Sequence, residues 1–85
     1  MEKTIFSVVC TTMDKQTNLV NSWVVNSFED ESRAMQCKED AFGNGVTIWN
    51  DFVEDDFIID TDNCVVYSDN KVERYSVEQN TLMED

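Results

Sequence analysis

Two runs of alternating, β-branched residues bracket this chain and commit both of its ends to antiparallel sheet. In the first, Thr4-Ile5-Phe6-Ser7-Val8-Val9-Cys10-Thr11-Thr12, the side chains of Phe6, Val8 and Cys10 point one way and those of Ser7, Val9 and Thr11 the other. That period of two is the mark of an extended strand. The polar stretch from Met13 to Asn18 gives a loop of hairpin length, and Leu19-Val20-Asn21-Ser22-Trp23-Val24-Val25 returns, so residues 4–26 are expected to form a hairpin. Further on, Cys64-Val65-Val66-Tyr67, the turn Ser68-Asp69-Asn70 and the run Lys71 to Val77 make a second hairpin. Phe57-Ile58-Ile59 reads as a short strand before it, with Thr61-Asp62-Asn63 as a turn; the tail after about Asn80 is expected to be loose.

The segment between the hairpins carries a helical signal. Ser27 reads as an N-cap, and Glu29, Asp30 and Glu31 fall in the first turn, where the helix dipole favours negative charge. Ala34, Cys37 and Ala41, flanked by Met35, Lys38 and Phe42, form a narrow apolar stripe. Gly43-Asn44-Gly45 reads as its C-terminal stop, so the spacing predicts a helix over residues 28–42. Residues 46–60 are ambiguous. Val46, Ile48, Asn50 and Phe52 alternate with Thr47, Trp49, Asp51 and Val53, yet Ile48, Trp49, Phe52 and Val53 also share a helical face. The β-branched start and the tight Gly-Asn-Gly approach tip this segment toward strand. The order β-β-α followed by three or four strands indicates a single α+β domain over residues 1–85, one helix packed on an antiparallel sheet.

A chain of 85 residues makes one small domain with little stability to spare. Compactness scaling gives it a diameter of about 25–30 Å. Eighteen Asp and Glu against six Lys and Arg, with no His, set the formal charge at −12. Such acidity is compatible with disorder when aromatic and β-branched residues are scarce, but here they recur in patterned runs. No apolar run reaches the roughly 18–20 residues of a membrane span. The start, Met-Glu-Lys-Thr-Ile-Phe, lacks the basic and apolar regions of a secretory signal, so a cytoplasmic location is expected. Cys10, Cys37 and Cys64 are odd in number and widely spaced, which reads as reduced thiols in or near the core rather than a disulfide framework.

Catalytic chemistry finds little to work with. Without histidine there is no Ser-His-Asp or Cys-His arrangement, and three distant cysteines do not supply a structural zinc site. Asp60-Thr61-Asp62-Asn63 begins like a calcium loop, but Val65 and Lys71 stand where that pattern asks for glycine and glutamate, so it reads as a plain turn. Gly43 and Gly45 do not form a phosphate loop. Acid pairs such as Asp55 and Asp56 could hold Mg²⁺ for nuclease chemistry, but such sites usually add a lysine or histidine placed by the fold, and acids this numerous make some pair inevitable by chance. We therefore expect no enzyme, no cofactor and no bound metal. Direct nucleic-acid binding is disfavoured as well, because a binder needs a basic patch.

The excess charge itself remains. From Phe28 to Asp62 the chain holds Glu29, Asp30, Glu31, Glu39, Asp40, Asp51, Glu54, Asp55, Asp56, Asp60 and Asp62 against Arg33 and Lys38. Duplex DNA carries about one negative charge per 1.7 Å, so twelve net charges match roughly 20 Å of duplex. Asp51, Glu54, Asp55 and Asp56, four acids within six residues, are flanked by Phe52, Val53 and Phe57. Trp49 reads as core more readily than as a surface anchor, and Phe52 as either. The expected partner is a basic nucleic-acid-binding protein whose cleft accepts these acids in place of phosphates. The candidate contact residues are Asp51, Phe52, Glu54, Asp55, Asp56 and Phe57, with Glu39 and Asp40. The alternative is a small interaction module whose acidity serves solubility or a generic basic partner.

In size and charge the chain resembles the small acidic inhibitors that phages direct against host DNA-handling proteins, namely uracil-DNA glycosylase inhibitors, anti-restriction proteins and several anti-CRISPR proteins. The resemblance is one of composition and carries no residue across. It implies a non-enzymatic, phage-type counter-defence protein that occludes a DNA- or RNA-binding cleft.

Self-repulsion among the acids is screened by salt. Thermal unfolding in a sodium chloride series should shift upward with ionic strength, while EDTA and a reducing agent leave the midpoint in place. A large fall on chelation would overturn the reading of Asp60 to Asn63 as a plain turn.

Overall fold

The structure, a computed structural model, describes residues 2–53 and 56–83, the side chains of Leu82 and Met83 excepted. Its elements are β1 (Glu2–Asp14), β2 (Leu19–Phe28), α1 (Glu31–Phe52), β3 (Phe57–Asp60), β4 (Val65–Ser68) and β5 (Lys71–Met83). The strands form one antiparallel sheet in the order β2-β1-β5-β4-β3, with the helix packed on one face. This is the α+β arrangement that the two alternating runs imply. Both expected hairpins are present, and β1 at the centre of the long part of the sheet pairs with β2 on one side and β5 on the other. A bulge breaks the first ladder: Val8 faces Asn26 and Val9 faces Val24, which leaves Val25 without an opposite residue.

The C-terminal segment corrects an expectation. Rather than loosening after about Asn80, β5 continues to Met83 and pairs along the first half of β1, from Ser7 with Glu78 to Glu2 with Met83. A long central strand leaves backbone donors and acceptors that a second long strand satisfies. Glu84 and Asp85 lie outside the described residues.

The helix departs further from the sequence reading. Its cap is Asp30, whose Oδ1 accepts from the backbone N–H groups of Ser32 at 2.8 Å and Arg33 at 3.4 Å. Ser27, expected to be the cap, belongs instead to β2, and its hydroxyl lies 2.9 Å from that of Ser7 on β1. Nor does the helix stop at Gly43-Asn44-Gly45. Both glycines are helical, neither has a positive φ, and α1 runs on through the stretch we read as strand to Phe52, where Val53 N–H donates to the Trp49 carbonyl at 2.9 Å. Packing decides this. Phe42, Gly45 and Trp49 recur on the face of Ala34, all four buried, with Val46 and Val53 partly buried beside them. As a strand, residues 46–52 would have withdrawn Trp49 from that row.

Gly45 has a specific task. A methyl group at its Cα would sit 2.5 Å from the Tyr75 hydroxyl oxygen and 3.2 Å from two ring carbons. The helix backbone thus rests on the Tyr75 ring. Around this contact lie Cys10, Phe42, Trp49, Cys64 and Val66, with Phe42 edge-on to Tyr75 at 6.2 Å and Trp49 edge-on to Phe57 at 5.5 Å. Gly43, two residues earlier, has nothing within 4 Å of the corresponding position.

The molecule is longer than the compactness estimate, measuring 50 × 25 × 18 Å with a radius of gyration of 14.6 Å. Scaling for 85 residues would give about 12 Å. Two strands of 13 residues, each about 44 Å long, account for the difference. The helix covers one face and leaves the other open. Across that open face the register aligns Val20, Met13, Val72, Tyr67 and Ile58 in one row spanning all five strands. Among the described residues no helix is long and apolar enough to cross a membrane.

The two glycines should respond with opposite signs. Gly43→Ala adds a helix-favouring residue in open space and should stabilise by about 0.5–1 kcal/mol. Gly45→Ala overpacks the Tyr75 contact and should destabilise by about 1 kcal/mol or more. In urea denaturation, adding Tyr75→Phe should recover part of the Gly45→Ala loss. Strict additivity would place the strain elsewhere.

Candidate functional site

The C-terminal end of α1 is where charge and exposed apolar surface meet. Trp49 turns inward, 6% exposed, because its indole Nε1 donates to Glu73 Oε2 on β5 at 2.8 Å. That orientation rotates the next positions of the helix outward. Phe52, three residues on, is 79% exposed, and Ile48, which shares its flank, is 56% exposed. Both border an open cleft of about 480 Å³ between the end of the helix and the turn end of the sheet, lined also by Thr12, Leu19, Asn21 and Lys71.

Acids outnumber bases around this apolar spot: Asp14 and Glu73 line the cleft against Lys71, and two further acids flank it. Asp51 is exposed in the last turn, Asp56 is exposed just before β3, and the last turn holds no basic residue. Carboxylates at a helix C-terminus add to the partial negative charge of its free carbonyls rather than cancelling it. A helix ending at residue 42, as the spacing predicts, would put Glu39 and Asp40 in that position. In the longer helix they lie mid-span, and Asp51 takes that place.

The eight candidate contact residues therefore divide. Asp51, Phe52 and Asp56 gather where the helix gives way to β3. Glu54 and Asp55, between them in sequence, lie outside the described residues. Phe57 is half-buried against Trp49, a packing partner more than a surface anchor. Glu39 and Asp40 are exposed on the outer side of α1, with Asp40 accepting from Gln36 at 3.1 Å. They stand about 16–18 Å along the helix axis from Asp51, so they do not belong to the same spot. Ile48 and Leu19 join the site although neither drew notice as a contact residue. Helical spacing with Phe52 was the available signal for Ile48; for Leu19 the strand pattern gave none.

Beneath the helix lies a small polar network. Glu73 accepts from Trp49 through one oxygen and lies 3.7 Å from the Cys10 thiol through the other. Burial, reinforced by the Glu73 charge, pushes the Cys10 thiol up to about 11 and the Tyr75 hydroxyl well above its ordinary range. A nucleophilic cysteine needs the reverse, a thiolate stabilised near neutral pH. This thiol is a protonated core group. Cys64 is also buried and Cys37 partly so, and all three are free.

The Asp60 turn is self-contained. One carboxylate oxygen accepts from the N–H groups of Asp62 and Asn63, both at 3.1 Å, and the other from the Asn63 side chain at 2.9 Å. These bonds lower the Asp60 pKa. Among the described residues, no three His, Cys, Asp or Glu side chains are grouped to hold a metal ion. The chain matches no known protein family, no curated protein and no solved structure.

The raised pKa values of Cys10 and Tyr75 set an alkaline limit. A group held protonated in the fold stabilises it fully below its unfolded pKa, and the contribution fades as the unfolded chain ionises first. For Cys10 that window opens near 9.0 and closes near 11. Stability followed by urea denaturation should begin to fall near pH 9, and Cys10→Ser should make that limb shallower. At pH 8 a thiol reagent should label Cys37 first, with Cys10 and Cys64 reacting on unfolding. Rapid native labelling of Cys10 would contradict the buried, protonated thiol.

Proposed function

We propose that this is a non-catalytic binding protein that docks the acidic C-terminal end of α1 into the basic, nucleic-acid-binding cleft of another protein and so excludes the nucleic acid. The observation that carries this reading is Phe52, an aromatic ring 79% exposed at the negative end of a helix, beside Ile48 and within a run of acids. Folding favours burying such a ring, and an exposed apolar spot rimmed by polar groups marks a contact surface. In the proposed complex the net charge of −12 steers encounter with a basic surface over a distance. Phe52 and Ile48 then supply the apolar anchoring on which binding energy concentrates. The cleft beside them has room for a side chain of the partner.

A second reading has its own support. Among the described residues, the acids between Phe28 and Asp62 are spread over the start of α1 (Glu29, Asp30, Glu31), its mid-span (Glu39, Asp40), its last turn (Asp51) and the segments around β3 (Asp56, Asp60, Asp62), not gathered in one cluster. That distribution suits a small interaction module that engages a basic surface of any kind. Competition with DNA separates the two: a partner captured from host lysate should be released by added duplex if its nucleic-acid cleft is occupied, and retained otherwise.

Substitution locates the contact. Asp51, Glu54, Asp55 and Asp56 changed together to Asn or Gln should weaken binding nearly a thousandfold, taking about 1 kcal/mol for each desolvated charge. Neutralising Glu2 and Glu78, which do not line the cleft, together with Glu84 and Asp85 changes the net charge equally but should lower the association rate by about tenfold or less. Phe52→Ala should leave the melting temperature in place and weaken binding by about tenfold or more. Equal losses from the two acid sets would sink the assignment of binding to this end of the helix.

A further inference from the structure

We infer that the outer edge of β2 is a self-association surface, on which a second copy of this chain adds its own β2 antiparallel to the first. The two edges of the sheet differ in a way that calls for explanation. The β3 edge is four residues long and carries acids, with Asp60 at its end and Asp56 just before it. The β2 edge is ten residues long, Leu-Val-Asn-Ser-Trp-Val-Val-Asn-Ser-Phe, and contains no charged residue and no proline. It is exposed along nearly its whole length, with Leu19 at 64%, Val20 and Val24 at 58% and Trp23 at 48%. Exposed edges are ordinarily guarded by charge, proline or brevity, because their free N–H and C=O groups invite another strand. Here the guard is confined to the bulge at Val25.

Charge selects the occupant. Residues Gln16 to Phe28 are the longest uncharged run in a chain of net charge −12. Two such molecules repel wherever their carboxylates approach, and along this edge the backbones can meet over ten residues that themselves carry no carboxylate. A cationic partner has the opposite preference, since β2 offers no carboxylate to receive it. The strand is also complementary to itself. Antiparallel pairing centred on Ser22 sets Ser22 against Ser22 of the second copy, and Val20 against its Val24 in both directions. Leu19 then faces the second copy's Val25, at the bulge where regular pairing ends. Every apolar residue on the open side of the strand meets an apolar residue. The row Val20, Met13, Val72, Tyr67 and Ile58 is thereby joined across the dyad to Val24 and Val9 of the second copy. The arrangement is isologous and closed, giving a ten-stranded sheet whose remaining edges are the two short, acidic β3 strands.

The test is the mass of the full chain in solution across a concentration series, by sedimentation or light scattering. The expected result is a concentration-dependent rise from 9.8 kDa toward twice that mass, favoured by added salt because screening relieves the repulsion between copies. Val20→Lys with Val24→Lys, both exposed and outside the helix-covered core, should hold the protein at the monomer mass with unchanged circular dichroism. Ser22→Cys in a Cys37→Ser background should form a disulfide-linked dimer on mild oxidation, because opposed residues in antiparallel strands lie within disulfide reach in either pairing geometry. Asp69→Cys in the same background should not. A monomer at every concentration and salt, a dimer that survives the two lysines, or a Ser22→Cys protein that resists cross-linking would overturn the inference.

Discussion

The bond from Trp49 to Glu73 and the contact of Gly45 with Tyr75 together hold the second half of α1 on the sheet, and the rest of the architecture follows from that seat. The helix begins beside one edge of the sheet, after β2, and must deliver the chain to the opposite edge, where β3 starts. Four strand spacings separate those edges by about 19 Å, and a helix of 22 residues is about 33 Å long, enough to cross obliquely. It can remain helical through Val46, Thr47 and Ile48, whose branching favours strand, because Trp49 gains a buried site and a hydrogen-bonded indole only from the helical geometry. The missing side chain at Gly45 lets the backbone come down onto the Tyr75 ring. Placing Trp49 inward also places Phe52 outward, so the docking of the helix and the exposure of its acidic tip are one geometric fact.

A single helix covers one face of a long sheet, and the energetic character of the protein reflects it. Among the described residues, fully buried side chains are few and small, Val8, Val66 and Cys10 being the largest, and the buried cluster is concentrated beneath the helix. With a thin core and a net charge of −12, screening or pairing with a basic surface acts on a fold that has little stability in reserve. The open face and the bare β2 edge add apolar surface where a two-layer domain would ordinarily be closed. The two proposed contacts divide the work by chemistry: the acidic helix tip suits a cationic partner, and the uncharged edge suits a second copy.

The hairpins were legible because their signal is local. Val8, Cys10 and Thr12 alternate with their neighbours whatever lies above them, and turn residues between the runs set the strand lengths to within a few positions. Much of the helix was legible from Ala34, Cys37 and Ala41. Its end was not, because Gly43 and Gly45 look like a stop until Tyr75 is known to occupy the space beside one of them. The buried stripe in fact continues in phase from Ala34 through Phe42 and Gly45 to Trp49, a periodicity present in the sequence but outvoted by the β-branched residues after the glycines. The fraying expected after Asn80 failed for a similar reason: the residues from Glu78 to Met83 have weak strand character, and β1 supplies the ladder that orders them.

By itself, then, the sequence determined the class of fold, the location of its turns and the acidity of its middle, all properties of neighbouring residues or of composition. Which end of the helix bears the exposed ring, how Trp49 and Phe52 divide between core and surface, and where the helix stops were decided by tertiary structure. Strand and helix each satisfy the backbone of residues 46–52 equally well, so the outcome rests on what the side chains meet. The partner of Trp49 is Glu73 and the space beside Gly45 belongs to Tyr75, residues that pattern alone places in a distant hairpin and that the folded sheet brings beneath the helix.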